Sequence, residues 1–150
     1  MNKNRKILLI TFSALVLCIC IVATFFFHPS MDYSSSSSKH FSSQQLSGLE
    51  QSLRWRHFIS LSHTAHIRAT YDEDTTQNLI TISLLATQCK GKDSYCDTAD
   101  PLYRAYNRYG KDRLASVVIV ETRRDGSTQY STEYYALTHG TWEFLFTDYS

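Results

Sequence analysis

Hydrophobic and polar positions divide the chain into three stretches, and the first is a single apolar run. It extends from Ile7 to Phe27, 21 residues without a charge, approached through Lys3, Arg5 and Lys6. As a helix rising about 1.5 Å per residue it spans roughly 31 Å, close to the ~30 Å hydrocarbon core of a bilayer. Fourteen of its residues are Leu, Ile, Val or Phe, and at about −0.3 to −0.6 kcal/mol each they outweigh Thr11, Ser13 and Thr24. The pattern predicts a single transmembrane helix over 7–27. The cations on its leading side keep residues 1–6 cytoplasmic and export everything after Phe27. A cleaved secretory signal opens the same way and stands as the alternative. Its apolar part is ordinarily only about 7 to 15 residues, however, and Thr24 to Phe27 supply no small-x-small site.

The second stretch, 28–45, is polar, with serine at every position from Ser34 to Ser38 and again at Ser42 and Ser43. It reads as a flexible tether with a root-mean-square reach of about 24 Å. The third stretch, 46–150, carries the short periodic patterns of one folded domain. Leu46, Leu49, Leu53 and Trp55 follow helical spacing between Gln44 and Phe58, with Ser42 or Ser43 as cap. Ile59 to Tyr71 and Leu79 to Gln88 alternate or are β-branched and are separated by the polar run Asp72 to Asn78, a pattern that predicts a hairpin. Asp100 and Pro101, followed by Leu102, Ala105, Tyr106, Tyr109 and then Gly110, predict a short helix. Leu114 to Thr122 is strongly β-forming, Asp125-Gly126 suits a tight turn, and Thr128 to Leu137 returns as a strand. His139-Gly140 makes the next turn, and a last strand alternates Trp142, Phe144 and Phe146 with Glu143, Leu145 and Thr147. The expected class is α+β. After the transmembrane helix comes a small antiparallel sheet or partly open β-barrel of about five strands, with one helix before it and a short one inserted.

Composition narrows the function classes. The 15 Lys plus Arg against 14 Asp plus Glu leave no basic field, so direct nucleic-acid binding is not expected. Cys18 and Cys20 lie inside the apolar run. Each follows a large apolar residue, Leu17 or Ile19, which does not suit lipid attachment. Cys89 and Cys96, exported together, predict a disulfide closing an eight-residue loop, with a reducible redox pair as the alternative. Their spacing does not suit zinc. No N-x-Ser/Thr sequon occurs, in keeping with a bacterial periplasm.

Catalytic apparatus is not visible. Five glycines leave little for a phosphate cradle, and no nucleophile elbow or metalloprotease helix occurs. Non-enzymatic function, no metal and no cofactor are therefore expected. His63, His66 and His139 are candidate acidity sensors because imidazole changes charge near pH 6, with ordinary surface histidines as the competing explanation. His57 belongs to the same set. Glu121, Asp125, Glu133 and Glu143 read as solvated strand exteriors and turns. Tyr134, Trp142, Phe144 and Phe146 are candidates for a ligand- or partner-binding face, with plain core packing as the alternative.

The basic start, the single apolar helix, the sequence Leu53-Arg54-Trp55-Arg56 early in the domain and the close Leu137-Thr138-His139-Gly140-Thr141-Trp142-Glu143-Phe144-Leu145-Phe146 resemble the ToxS-type proteins. Among these the chain is most similar to the MyfF and PsaF branch of enteric bacteria. The resemblance implies a bacterial inner-membrane co-regulator with a periplasmic domain and no catalytic residues. Its partner would be a single-pass activator with a cytoplasmic winged-helix domain, of the MyfE or PsaE kind. Together they would respond to acidity, temperature or a bile-salt-like ligand and promote fimbrial and virulence gene expression. A receptor for a small hydrophobic ligand, acting without an activator, is the alternative function.

Overall fold

The structure, a computed structural model, describes the backbone at residues 3–27, 29–58, 63–85 and 94–149, and side chains at 10–22, 29–58, 63–83, 85 and 100–149. Within the serine-rich stretch expected to be a tether, Ser30–Ser35 form β1. The chain continues through α2 (Ser43–Phe58), β2 (Thr64–Tyr71), α3 (Glu73–Leu85), α4 (Ser94–Tyr109), a 3-10 turn at Lys111–Arg113, β3 (Leu114–Arg123), β4 (Thr128–Thr138) and β5 (Thr141–Tyr149). The strands form one sheet in the order β1-β2-β3-β4-β5. β1 runs parallel to β2, with Ser30 opposite His66 and Ser35 opposite Tyr71, and the remaining pairs are antiparallel. The class is therefore α+β with five strands, but the sheet is mixed and open. It is neither all-antiparallel nor a partly closed barrel, because β1 enters through a β-α-β crossover that makes its pairing with β2 parallel.

Four helices accompany the sheet among the described residues, and α1 (Lys3–Phe27) follows the apolar run. The membrane-spanning expectation is corrected here. Among the described residues no helix is long and apolar enough to cross a membrane. The inner-membrane location, with its cytoplasmic and periplasmic sides, rested on that span and is withdrawn with it.

α2 starts on a reciprocal capping box: Gln45 N–H donates to Ser42 Oγ at 3.2 Å, and Ser42 N–H donates to Gln45 Oε1 at 2.8 Å. Its buried stripe, Leu46, Leu49 and Leu53, packs with Phe41, Ile67, Ala69, Tyr71, Ala115, Val117, Ile119 and Tyr135 on one face of the sheet. α3 and α4 cover part of the other face, where Ile80, Leu102 and Ala105 meet Leu114, Tyr134 and Ala136. The period-2 alternation of β3 feeds both layers.

The hairpin expected between Ile59 and Gln88 does not form. Asp72 Oδ1 accepts the Thr75 N–H at 2.7 Å and caps a helix in place of a loop. Thr76, Ile80 and Ser83 then fall on one buried helical face. Thr76 Oγ1 lies 2.8 Å from Ser116 Oγ and accepts the Ser116 N–H at 3.1 Å, docking α3 on β3. The β-branched residues Ile80, Thr81 and Ile82 favour a strand locally, and this tertiary docking overrides them. α4 likewise begins at Ser94, six residues before the capping acid that the sequence suggested, and contains Pro101.

The two β-turns form where expected. His139 and Gly140 have φ of 50° and 81°, the paired left-handed residues of a two-residue hairpin. A Cβ at Gly140 would meet no atom within 4 Å, so a substitution there strains only the backbone. Gly140→Ala should lower stability by about 1 kcal/mol, read as a fall in thermal midpoint.

Candidate functional site

Chemistry-bearing side chains gather where α2 crosses β4 and β5. A bulge decides how. Tyr134 pairs with Phe146 and Tyr135 with Phe144, which leaves Leu145 unmatched and switches the parity of β5. Trp142 and Phe144 therefore face α2, while Phe146 turns to the opposite layer and stacks on Tyr134 with centroids 4.4 Å apart. The four aromatic candidates, Tyr134, Trp142, Phe144 and Phe146, are thus divided between two packed layers and do not form one face. Trp142 is anchored from both sides: its Nε1–H donates to Gln45 O at 2.7 Å and its ring meets Phe41 edge-on at 4.9 Å.

Glu133 corrects the expectation of a solvated exterior. Its residue is 3 % exposed, because alternation along β4 puts it on the face of Tyr135 and Leu137. Arg56 Nε–H donates to Oε1 at 2.9 Å and the Tyr135 hydroxyl donates to Oε2 at 2.5 Å. His57 Nε2 lies 3.3 Å from Oε1, within ion-pair range but not aligned as a directional hydrogen bond. The Arg56 guanidinium also sits 3.4 Å over the Phe144 ring and reaches Thr147 Oγ1 at 3.3 Å. Burial pushes the Glu133 carboxyl up, but the His57 contact and charge and the Tyr135 and Arg56 hydrogen bonds outweigh it, holding the group below the usual carboxylate range. Burial and the Glu133 charge push the Tyr135 phenol far up, so the shared proton stays on the tyrosine. With both carboxylate oxygens engaged, the cluster rivets α2 to the β4–β5 hairpin.

The candidate histidines lie apart. His139 is in the exposed β4–β5 turn. His63 is exposed just before β2, its carbonyl accepting the Arg124 N–H at 2.6 Å. His66 sits at the β1–β2 pairing, with Nδ1 2.8 Å from Ser30 Oγ and Nε2 3.5 Å from Asp32 Oδ2. Sequence reasoning missed His40, which lies between Glu73 and Asp112. No local pattern marks it, because its partners are 33 and 72 positions away in the chain.

Two hollows border the last turns of α2. One of about 160 Å³ is lined by Pro29, Met31, Arg54, His57, Phe58 and Ile67. The other, of about 370 Å³, lies over Gln51, Arg54, Trp55 and Phe58. Among the described residues no group of three His, Cys, Asp or Glu could hold a metal. Cys89 lies outside the described residues and Cys96 is described only by its backbone in α4, so their bond falls outside the description. Cys18 and Cys20 are free and exposed.

The sheet has two edges, the six-residue β1 and the nine-residue β5. Among the described residues no strand pairs with the outer side of β5, and Arg56 and Trp142 tie that strand to α2 from behind. No protein-family model, curated protein or solved structure matches the chain.

Proposed function

We propose that this chain is a non-enzymatic co-regulator whose open β5 edge holds and protects a single-pass winged-helix transcription activator of the MyfE or PsaE kind. In this role it helps the pair respond to environmental signals and promotes fimbrial and virulence gene expression. The observation that carries the reading is the β5 edge itself. It is a nine-residue strand at the rim of an open sheet, with one row of backbone donors and acceptors facing away from β4. Such an edge accepts a partner strand by main-chain hydrogen bonding. The residues that carry the ToxS-type resemblance support the same place. Leu137 to Phe146 build the β4–β5 turn and most of β5, and Arg56 of the Leu53–Arg56 sequence packs on Phe144. Reception of a small hydrophobic ligand fits less well: the hollow at Ile67 is about 160 Å³, below the ~300 Å³ at which drug-sized sites begin, and the one of about 370 Å³ reaches that size but is walled by the exposed Trp55 and Phe58.

Hydrogen exchange tests the proposal. Adding the activator's C-terminal domain should slow alternate amides in 141–149 by about tenfold or more. A complex that leaves β5 exchange unchanged would move the interface elsewhere. Failure of any such activator to form a complex would remove the function.

A further inference from the structure

We infer that His40 is a protonation-dependent latch tying the segment that leads into α2 to α3 and to the 3-10 turn before β3. Its ring stands between two carboxylates: Nδ1 meets Glu73 Oε1, and Nε2 lies 3.2 Å from Asp112 Oδ1. Neutral imidazole carries one N–H for two carboxylates, whereas imidazolium presents an N–H and positive charge to each. The doubly protonated ring is therefore the form that closes both contacts, and imidazole gains that proton between about pH 5 and 8.

The latch bears on the core. Glu73 Oε2 also accepts the Lys39 N–H at 2.8 Å. Ser38 Oγ accepts the N–H groups of His40 and Phe41 at 3.1 and 3.0 Å, and the Tyr71 hydroxyl donates to it at 3.4 Å. Phe41, next to the latch, is 5 % exposed and packs edge-on against Trp142 near the start of β5. The charged and titratable groups around the ring are Lys39 from its own segment, Glu73 with its neighbours Asp72 and Asp74 from α3, Asp112 between Lys111 and Arg113 from the 3-10 turn, and Tyr71 from β2.

Loss of the latch has two pH limits. A neutral ring leaves one carboxylate without its donor and the other facing an uncharged imidazole. On the acid side, burial pushes the Glu73 carboxyl up, but the Lys39 N–H and the His40 hydrogen bond and charge outweigh it and hold the group below its ordinary range. A depressed carboxyl contributes stability above its ordinary value and loses it as pH falls through the lowered one. The latch is thus closed where Glu73 is ionised and the ring carries both protons.

Its consequence for the partner rests on the proposed docking at β5. Thermal unfolding of the whole chain at pH 6 and pH 8, compared in wild type, His40→Gln and Asp112→Asn, tests the latch alone. Wild type should lose about 2–4 °C more than His40→Gln between the two pH values. Asp112→Asn, altered at an exposed carboxylate, should also show the smaller loss. Equal pH 6-to-8 changes in wild type and His40→Gln would overturn the latch. Should His40→Gln not fold, an undiminished change in Asp112→Asn would do so instead. Activator affinity at the same two pH values tests the link to β5: wild type should bind more tightly at pH 6, and His40→Gln should not. The same pH dependence in both proteins would disconnect latch and edge. No complex at either pH would be a failure of the docking reading, with the melting comparison still deciding the latch.

Discussion

Glu133→Ala should destabilise the chain by about 3 kcal/mol, in the range measured when one member of a buried ion pair is removed. The change strips the Arg56 guanidinium and the Tyr135 hydroxyl of their acceptor and leaves a cavity behind β5. Chemical denaturation at pH 7 reads the loss. Glu133→Gln keeps the shape and removes the charge, which separates the two contributions. The pH dependence has a definite sign. Because the folded carboxyl lies below its ordinary range, its contribution is complete above the ordinary glutamate value of about 4.3 and disappears as pH falls through the lowered value. The stability gap between wild type and Glu133→Gln should therefore be widest near neutrality and narrow in acid. A gap that stayed constant from pH 7 to pH 3 would show that the charge is not what the cluster uses.

Leu53→Ala should cost about 3–4 kcal/mol, within the range for large-to-small changes at fully enclosed sites. Leu53 is 0 % exposed and belongs to the layer in which α2 meets β2, β3 and β4. Gln51, exposed two residues away, is the control: Gln51→Ala should change stability by no more than about 0.5 kcal/mol. Equal effects at the two positions would mean that α2 does not pack as the structure places it.

The two predictions differ in how far the sequence foreshadowed them. Leu46, Leu49 and Leu53 stand at helical spacing behind Ser42, so the buried stripe and the start of α2 were both readable. Glu133 taken with its nearest neighbours suggests an exterior carboxylate, yet the strand carries a signal for burial. Glu133 shares strand parity with Tyr135 and Leu137, and any face that buries the tyrosine carries the glutamate inward as well. The bulge at Leu145 has no comparable signal. The alternating Trp142, Phe144 and Phe146 suggested one aromatic face, and a single unmatched residue sent the third ring to the other side of the sheet.

By itself the sequence determined the meander from β3 to β5, its turns and the amphipathic α2. Each of these depends on neighbours a few positions apart: period-2 alternation, left-handed turn residues and a capping box. Only the tertiary structure decided that Ser30–Ser35 pair parallel to β2, that Asp72 to Leu85 coil instead of returning as a strand, and that His40 and Glu133 meet their charged partners. Those outcomes depend on groups 33 or more positions apart or on burial of one helix face against a distant strand. No local propensity contains that free energy, because it exists only once the layers have closed.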